Sequence, residues 1–189
     1  METVEFTRMD EGTAKDYALL DRALSNHQQD IQAKLPDTIL KMLREQRGNT
    51  LGYRVDRFEH SLQTATRAFR DGADEETVAI ALLHDVGDGI GLFNHSEVAA
   101  ALLRPFVSER SAWIVQHHGL FQGYYYFHHV GRDRKERDRL RGHPYFEACA
   151  NFCERWDQRA FDPAYDTMPL DAFEPIVRRL FSKPPRFLD

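Results

Sequence analysis

The sequence contains little cysteine. Only two cysteines occur among the 189 residues, Cys149 and Cys153. They lie four residues apart in a predicted helix, so both thiols can share one helix face without forming a disulfide framework. Two cysteines alone also supply too few ligands for a structural zinc site. We therefore predict two reduced thiols.

The chain also lacks long apolar runs and an excess of positive charge. No stretch approaches the roughly 18 apolar residues of a membrane-spanning helix, and residues 1–12 lack the features of a signal peptide. The formal net charge of −5 gives no electrostatic reason to bind nucleic acid or an anionic membrane. We expect a cytoplasmic protein whose partner is a small-molecule substrate, with no nucleic acid and no membrane as partners. The oligomeric state stays open, and a homo-oligomer is one alternative.

Helical periodicity accounts for most of the chain, and no convincing run of period-two strands occurs. An amphipathic helix is predicted over 13–34, ended by Pro36, and residues 119–144 are predicted to form a long excursion over the domain. The hydrophobic content of 42% suffices for the core of one domain, residues 1–189. The predicted fold class is all-α. Further helices are predicted over 57–72, 74–86, 95–106, 108–118 and 144–157, with one more short helix in the tail.

The adjacent pair His84 and Asp85 ends the otherwise apolar segment VAIALLHDVGDG. Burying an imidazole and a carboxylate there costs several kcal/mol unless they are paired or bind a metal. An isolated pair of this kind is more often satisfied by its own hydrogen bond. Metal binding gains support because four further histidines, His60, His95, His117 and His118, lie at or near the ends of other predicted helices. Imidazole with carboxylate suits iron, manganese or zinc better than calcium.

The order H…HD…H…H…D, carried by FEHSLQ, ALLHDVGD, NHSEVAAAL, VQHHGLFQ and RWD, resembles the HD-domain superfamily of metal-dependent enzymes. The resemblance covers about residues 50–160. It implies a helical bundle with two metal ions, in which the aspartate of the HD pair bridges both. Transferred to this chain, it implies His60, His84 and Asp157 on one metal, His95 and His118 on the other, Asp85 as the bridge, and Asp85 with His84 as the catalytic pair.

Within the superfamily, EHSLQTA, ALLHDVGD and RWD look most similar to the mixed-valent di-iron oxygenases that cleave organophosphonates, with myo-inositol oxygenase a more distant relative. This implies two iron ions, Fe(II)/Fe(III), and O₂ as a co-substrate that oxidises a small polar organic molecule. Manganese or another divalent metal is the alternative cofactor. The alternative function is a metal-dependent phosphohydrolase, acting on a phosphate ester or nucleotide with the same ligands.

Three positions depart from the family patterns. Many HD phosphohydrolases place a lysine four residues after the histidine of the dipeptide, where this chain has Asp88. The organophosphonate-cleaving enzymes carry a lysine where this chain has Gln122, and Tyr53 lies too close to His60 to match their gating tyrosine. We infer a different substrate, contacted by Gln122, by Tyr125 of the aromatic segment FQGYYYF, and by Arg134.

His117 and His118 compete for one ligand position. The resemblance favours His118, and Ile114 lies one i to i+4 step before it, so both should share the inward helix face. Trp113 stands in the same relation to His117. Adjacent helix positions differ by about 100° in direction, so both imidazoles cannot easily reach one metal.

Overall fold

The computed structural model describes residues 2–186, and the statements below refer to that part of the chain. It contains α-helices joined by loops and short 3-10 turns, and no strand. The prediction of an all-α fold is confirmed. The helices are α1 (Ala14–Glu45), α2 (Arg57–Arg70), α3 (Glu75–Leu83), α4 (His95–Leu103), α5 (Glu109–Tyr126), α6 (Phe146–Arg155) and α7 (Glu174–Ser182).

Helix α3 forms the centre of the bundle. Asp74 caps its N-terminus by accepting a hydrogen bond from the Thr77 amide, and Glu75 and Glu76 lie in its first turn, where acidic groups favour the helix dipole. From Thr77 to Leu83 every residue is buried, and α2, α5 and α7 pack around the helix. Its C-terminal end, with His84 in the capping position, is therefore held deep inside the protein.

Helix α1 does not end before Pro36, as the sequence predicted, but continues to Glu45. A proline inside a helix costs about 3 kcal/mol, because it lacks the amide donor and its ring crowds the preceding turn. Here Ile39, Leu40 and Leu43 are fully buried beyond the proline, and α1 packs against α7. Burial of this apolar face outweighs the local penalty. Residues 20–31 of the same helix are exposed.

Helix α5 is longer than predicted, because the aromatic start of the supposed excursion continues it to Tyr126. Gly119 does not interrupt this helix and instead permits a close approach. A Cβ atom at Gly119 would lie 3.0 Å from Ser96 Oγ and 3.8 Å from His95 Nε2. The missing side chain therefore lets the start of α4 pack directly against the middle of α5.

The remaining elements agree with the predicted order. Helix α6 packs on α5 and begins at Phe146, since Pro144 lies in the preceding turn rather than in the first helical position. Cys149 and Cys153 are buried free thiols on α6. The predicted helix of the tail is α7. Among the described residues, no helix has both the length and the apolar character needed to cross a bilayer.

Candidate metal centre

Separate elements bring histidines and aspartates to one point beneath the surface. His60 lies in the first turn of α2, His84 caps α3, His95 opens α4, and His118 lies in α5. Asp157 begins the 3-10 turn after α6. His60, His84, Asp85, His118 and Asp157 are each 3% exposed or less. His95 is less buried, with 26% of its side chain exposed.

The two carboxylate oxygens of Asp85 face different pairs of histidines. Oδ2 lies 3.4 Å from Nε2 of His60 and 3.2 Å from Nε2 of His84. Oδ1 lies 3.1 Å from Nε2 of His118 and 3.4 Å from Nε2 of His95. One carboxylate thus contacts both halves of the cluster, which is the arrangement that a bridging ligand requires.

Asp157 completes the half of the cluster that contains His60 and His84. Its Oδ1 lies 3.2 Å from His60 Nε2 and 3.6 Å from His84 Nε2. Gln122 donates a hydrogen bond of 2.8 Å to the same oxygen. The other oxygen, Oδ2, is buried and has no hydrogen-bond partner. A buried carboxylate oxygen without a partner costs free energy, and a bound cation would remove that cost.

The imidazole rings are oriented by their outer nitrogen atoms. Nδ1 of His60 lies 3.0 Å from the Ala160 carbonyl oxygen, that of His84 2.9 Å from the Ala81 carbonyl, and that of His118 2.7 Å from the Val115 carbonyl. Because a carbonyl oxygen only accepts, each Nδ1 carries a proton. In the neutral rings, Nε2 then presents its lone pair to the cluster, as in metal-binding histidines.

The electrostatics of the cluster stabilise charged side chains. Burial alone would lower the pKa of His84, but the negative charges of Asp85 and Asp157 outweigh it and raise the pKa to about 10. The pKa of His60 is raised for the same reason. Burial would raise the pKa of Asp85, but the charges of His84 and Arg57 hold it well below its usual value. Without a metal, protons on His60 and His84 therefore balance the carboxylates, whereas burial lowers the pKa of the more peripheral His95.

The donor atoms also meet the distance requirement for metal binding. Within each of two groups, His60, His84 and Asp157, and His84, Asp85 and His118, the donor atoms lie within 4.8 Å of one another. Each group holds two imidazoles and one carboxylate, a combination common for iron, manganese and zinc. Together with the partnerless oxygen of Asp157, this donor set fits a bound metal.

The HD domain family matches residues 57–160, more than half of the chain. The chain belongs to the HD-domain family. HD domains are found in metal-dependent enzymes and bind divalent metals, so the family and the donor set agree on the kind of site. No curated protein matches this HD-domain chain. The superfamily is of the metal-dependent hydrolase and phosphohydrolase type.

The structure brings together all six residues predicted as ligands, which are His60, His84, Asp85, His95, His118 and Asp157. His117 points away from them. Its ring stacks on Trp113 with the centroids 4.2 Å apart, and its Nδ1 lies 2.9 Å from the Trp113 carbonyl oxygen. His128 and His129 are exposed on the surface.

The three predicted substrate contacts occupy different places. A cavity of about 350 Å³ opens onto the HD-domain centre, and Gln122 and Tyr125 both line it. Gln122 is engaged with Asp157 through its amide nitrogen. Arg134 does not line this cavity, because its guanidinium packs over the ring of Tyr124 at 4.1 Å. A substrate contact by Arg134 therefore stays a prediction that this cavity does not support.

Sequence reasoning missed several residues around the centre. Arg57 forms ion pairs with both Asp85 and Asp88 and lines the cavity. Phe161 stacks on the ring of His60 with centroids 4.5 Å apart, and Tyr53 stacks on Phe161 at 4.7 Å. These contacts join residues far apart in the chain. The one sequence indication for Arg57 was its position three residues before His60, in RFEH.

Competition between protons and metal predicts a pH dependence. The raised pKa values of His60 and His84 stabilise the metal-free protein below the unfolded value of 6.5, and this contribution is lost as pH rises towards about 10 for His84. Metal binding must displace these protons, so its apparent affinity should rise about tenfold per pH unit for each proton released. Asp85 and Asp157 stay ionised throughout this range.

We therefore expect Mn²⁺ to raise the melting temperature more at pH 8.5 than at pH 6.5. Thermal unfolding with and without the metal at both pH values measures this difference. The exposed-histidine variant His27→Ala serves as the control and should show the same pH dependence. An equal gain at the two pH values would show that protons and metal do not compete at these imidazoles.

Proposed function

We propose that this HD-domain protein is a di-iron oxygenase, which uses O₂ to oxidise a small polar organic substrate. The observation that carries the proposal is the placement of Asp85 between two pairs of histidines: its Oδ2 faces His60 and His84, and its Oδ1 faces His95 and His118. Two histidines with one carboxylate are the characteristic ligands of non-haem iron oxygenases. When bound, two irons supply the redox chemistry that activates O₂, which no side chain provides.

The protein's own contribution begins with holding the ligands. His60, His84 and Asp157 would bind one iron, His95 and His118 the other, and Asp85 would contribute one oxygen to each. The Nδ1 contacts to backbone carbonyls prevent the rings of His60, His84 and His118 from rotating. Gln46 donates a hydrogen bond of 2.6 Å to the backbone carbonyl of Asp85, which fixes the bridging residue from behind.

The cavity in front of the centre suits a small substrate. Its volume of about 350 Å³ lies near the lower end of the range for small-molecule sites. Tyr53, Tyr125, Tyr126 and Phe161 line it and give it an aromatic wall. Burial raises the pKa of Tyr125 to about 12 and raises that of Tyr126, so both hydroxyls stay protonated at neutral pH. They can orient a substrate by donating hydrogen bonds.

The charges around the cavity favour oxidation over phosphoryl transfer. Arg57 is the one lysine or arginine among the residues that line it, and it is already paired with Asp85 and Asp88. Gln122 is neutral. A phosphoryl group would therefore find no unpaired side-chain cation among the lining residues, whereas phosphoryl-transfer sites commonly use one. Family membership alone supports the second candidate, a metal-dependent phosphohydrolase.

The two functions differ in their use of oxygen. The protein would be reconstituted anaerobically with Fe(II), partly oxidised, and examined by EPR for the signal of a coupled Fe(II)/Fe(III) pair. O₂ uptake would then be measured with a panel of small hydroxy acids, polyols and phosphonates, and phosphate release with nucleotides and p-nitrophenyl phosphate. We expect the coupled signal and substrate-dependent O₂ uptake, both lost in Asp85→Ala. Phosphate release without O₂ uptake, supported by Mn²⁺, would instead identify a phosphohydrolase.

A further inference from the structure

Asp88 follows the His-Asp pair by three residues and is engaged at both carboxylate oxygens. Its Oδ2 accepts a hydrogen bond of 2.7 Å from Nε of Arg57, and its Oδ1 lies 3.4 Å from Nδ1 of His95. The side chain is 5% exposed. Asp88 also lies close enough to Asp85 and His95 to share a metal with them, but its Oδ2 is hydrogen-bonded to Arg57, and its Oδ1 faces Nδ1 of His95, the ring nitrogen opposite the one that faces Asp85.

Arg57 joins Asp88 to the bridging aspartate. Its Nη2 contacts Asp85 Oδ2, while its Nε contacts Asp88, and its side chain is only 12% exposed. A guanidinium presents its donors in a rigid planar fork, so one arginine can hold two carboxylates at a fixed separation. Burial would lower the pKa of Arg57, but the charges of Asp85 and Asp88 raise it instead. The cation therefore persists and offsets repulsion between the two carboxylates.

His95 is the histidine of the cluster that depends on this arrangement. The other three direct Nδ1 at a backbone carbonyl of a helix or turn. His95 opens helix α4, is partly exposed, and directs Nδ1 at the Asp88 side chain instead. Its orientation thus relies on a side chain that is itself held by Arg57.

We propose that Arg57 and Asp88 form a clamp that positions His95, and so sets the affinity of the second metal. In this clamp Asp88 is the positioning residue for His95, and Arg57 is the positioning residue for Asp88. The first metal, held by His60, His84 and Asp157, does not use Asp88, although Arg57 also contacts the oxygen of Asp85 that faces His60 and His84. The inference rests on the two-metal centre proposed above but not on the reaction that the centre catalyses.

Stepwise metal titration of the Asp88→Asn variant tests the clamp. The amide keeps the shape of Asp88 but removes the charge that Arg57 and His95 contact. Loss of a partner that orients a metal-binding histidine weakens metal binding by about 10–100-fold. We expect calorimetric titration of the metal-free protein with Mn²⁺ to show one unchanged site and a second site weakened by this factor. Asp166→Asn removes an exposed carboxylate paired with Arg70 and should match the unmodified protein.

A second variant separates the role of Arg57 from that of Asp88, with circular dichroism reporting on the fold of both variants. Arg57→Lys keeps the positive charge but cannot contact Asp85 and Asp88 as a fork. Because Arg57 contacts the oxygen of Asp85 that faces His60 and His84, this variant should weaken both sites, whereas Asp88→Asn should weaken only the second. The clamp would be overturned if the second site of Asp88→Asn kept the affinity it has in the unmodified protein, or if both sites were weakened by the same factor. If the unmodified protein itself binds fewer than two metals, the two-metal proposal fails, and the clamp fails with it.

Discussion

Replacing Asp85 with alanine is expected to remove both metals from the protein. One oxygen of Asp85 faces His60 and His84, and the other faces His95 and His118. Both metals would therefore lose a ligand at once, and Arg57 would lose one of its two carboxylate partners. Breaking a buried ion pair from one side costs about 3–5 kcal/mol of stability, so circular dichroism must accompany the metal analysis.

Asp85→Asn separates loss of the bridge from loss of the fold. The amide has nearly the same shape but carries no charge and offers only one oxygen. We expect fewer than two metals in this variant while the helical spectrum is preserved. Asp166→Ala, at an exposed carboxylate, provides the control and should keep both metals. Full occupancy of both sites in Asp85→Ala would rule out the bridge.

Replacing His118 with alanine is expected to empty one metal site, whereas the same change at His117 should leave both occupied. Nε2 of His118 lies 3.1 Å from Asp85 Oδ1 inside the cluster. His117 is directed to the other side of α5, where it stacks on Trp113. Adjacent helical residues point about 100° apart, so the two rings cannot exchange roles without unwinding the helix.

Metal content per chain measures the difference between these paired variants. We expect one metal in the His118→Ala protein and two in the His117→Ala protein, both folded as judged by circular dichroism. The His117 variant is a matched control, since it removes the same side chain from the next position of the same helix. The reverse pattern would assign His117 as the ligand.

The sequence predicted well those features that depend on local periodicity and helix ends. The wholly apolar run from Val78 to Leu83 indicated a central helix, and the acidic turn before it indicated where that helix begins. Pro36 misled the prediction, because the local cost of a proline is visible in the sequence and the burial of Ile39 and Leu43 is not. The end of α5 was placed too early for a related reason. A glycine at position 119 predicts a helix end, whereas in the structure it allows Ser96 to pack closely against the continuing helix.

The candidate site shows the same difference between features visible in the local sequence and features set by tertiary packing. The histidines and aspartates of the HD pattern were visible as residue types, and the resemblance to a family ordered them. At Asp88 the sequence showed only that a lysine common in HD phosphohydrolases is absent. Nothing in the sequence links Asp88 to Arg57, which lies 31 positions away. Arg134 was proposed as a substrate contact from its charge alone, but its stacking on Tyr124 depends on tertiary packing. The metal ligands could be recognised from the sequence. The residues that orient them could not, because their contacts join positions that are distant in the chain.

We propose that this HD-domain protein holds two metals, specifically two irons, at the cluster around Asp85. The metal content of protein purified without added metal, measured by mass spectrometry alongside Asp85→Ala prepared in parallel, tests this proposal. We expect about two iron ions per chain in the unmodified protein and none in the variant. Two manganese ions per chain would support the two-metal centre but rule out iron as its metal. Fewer than about one metal of any kind per chain would contradict the two-metal centre itself.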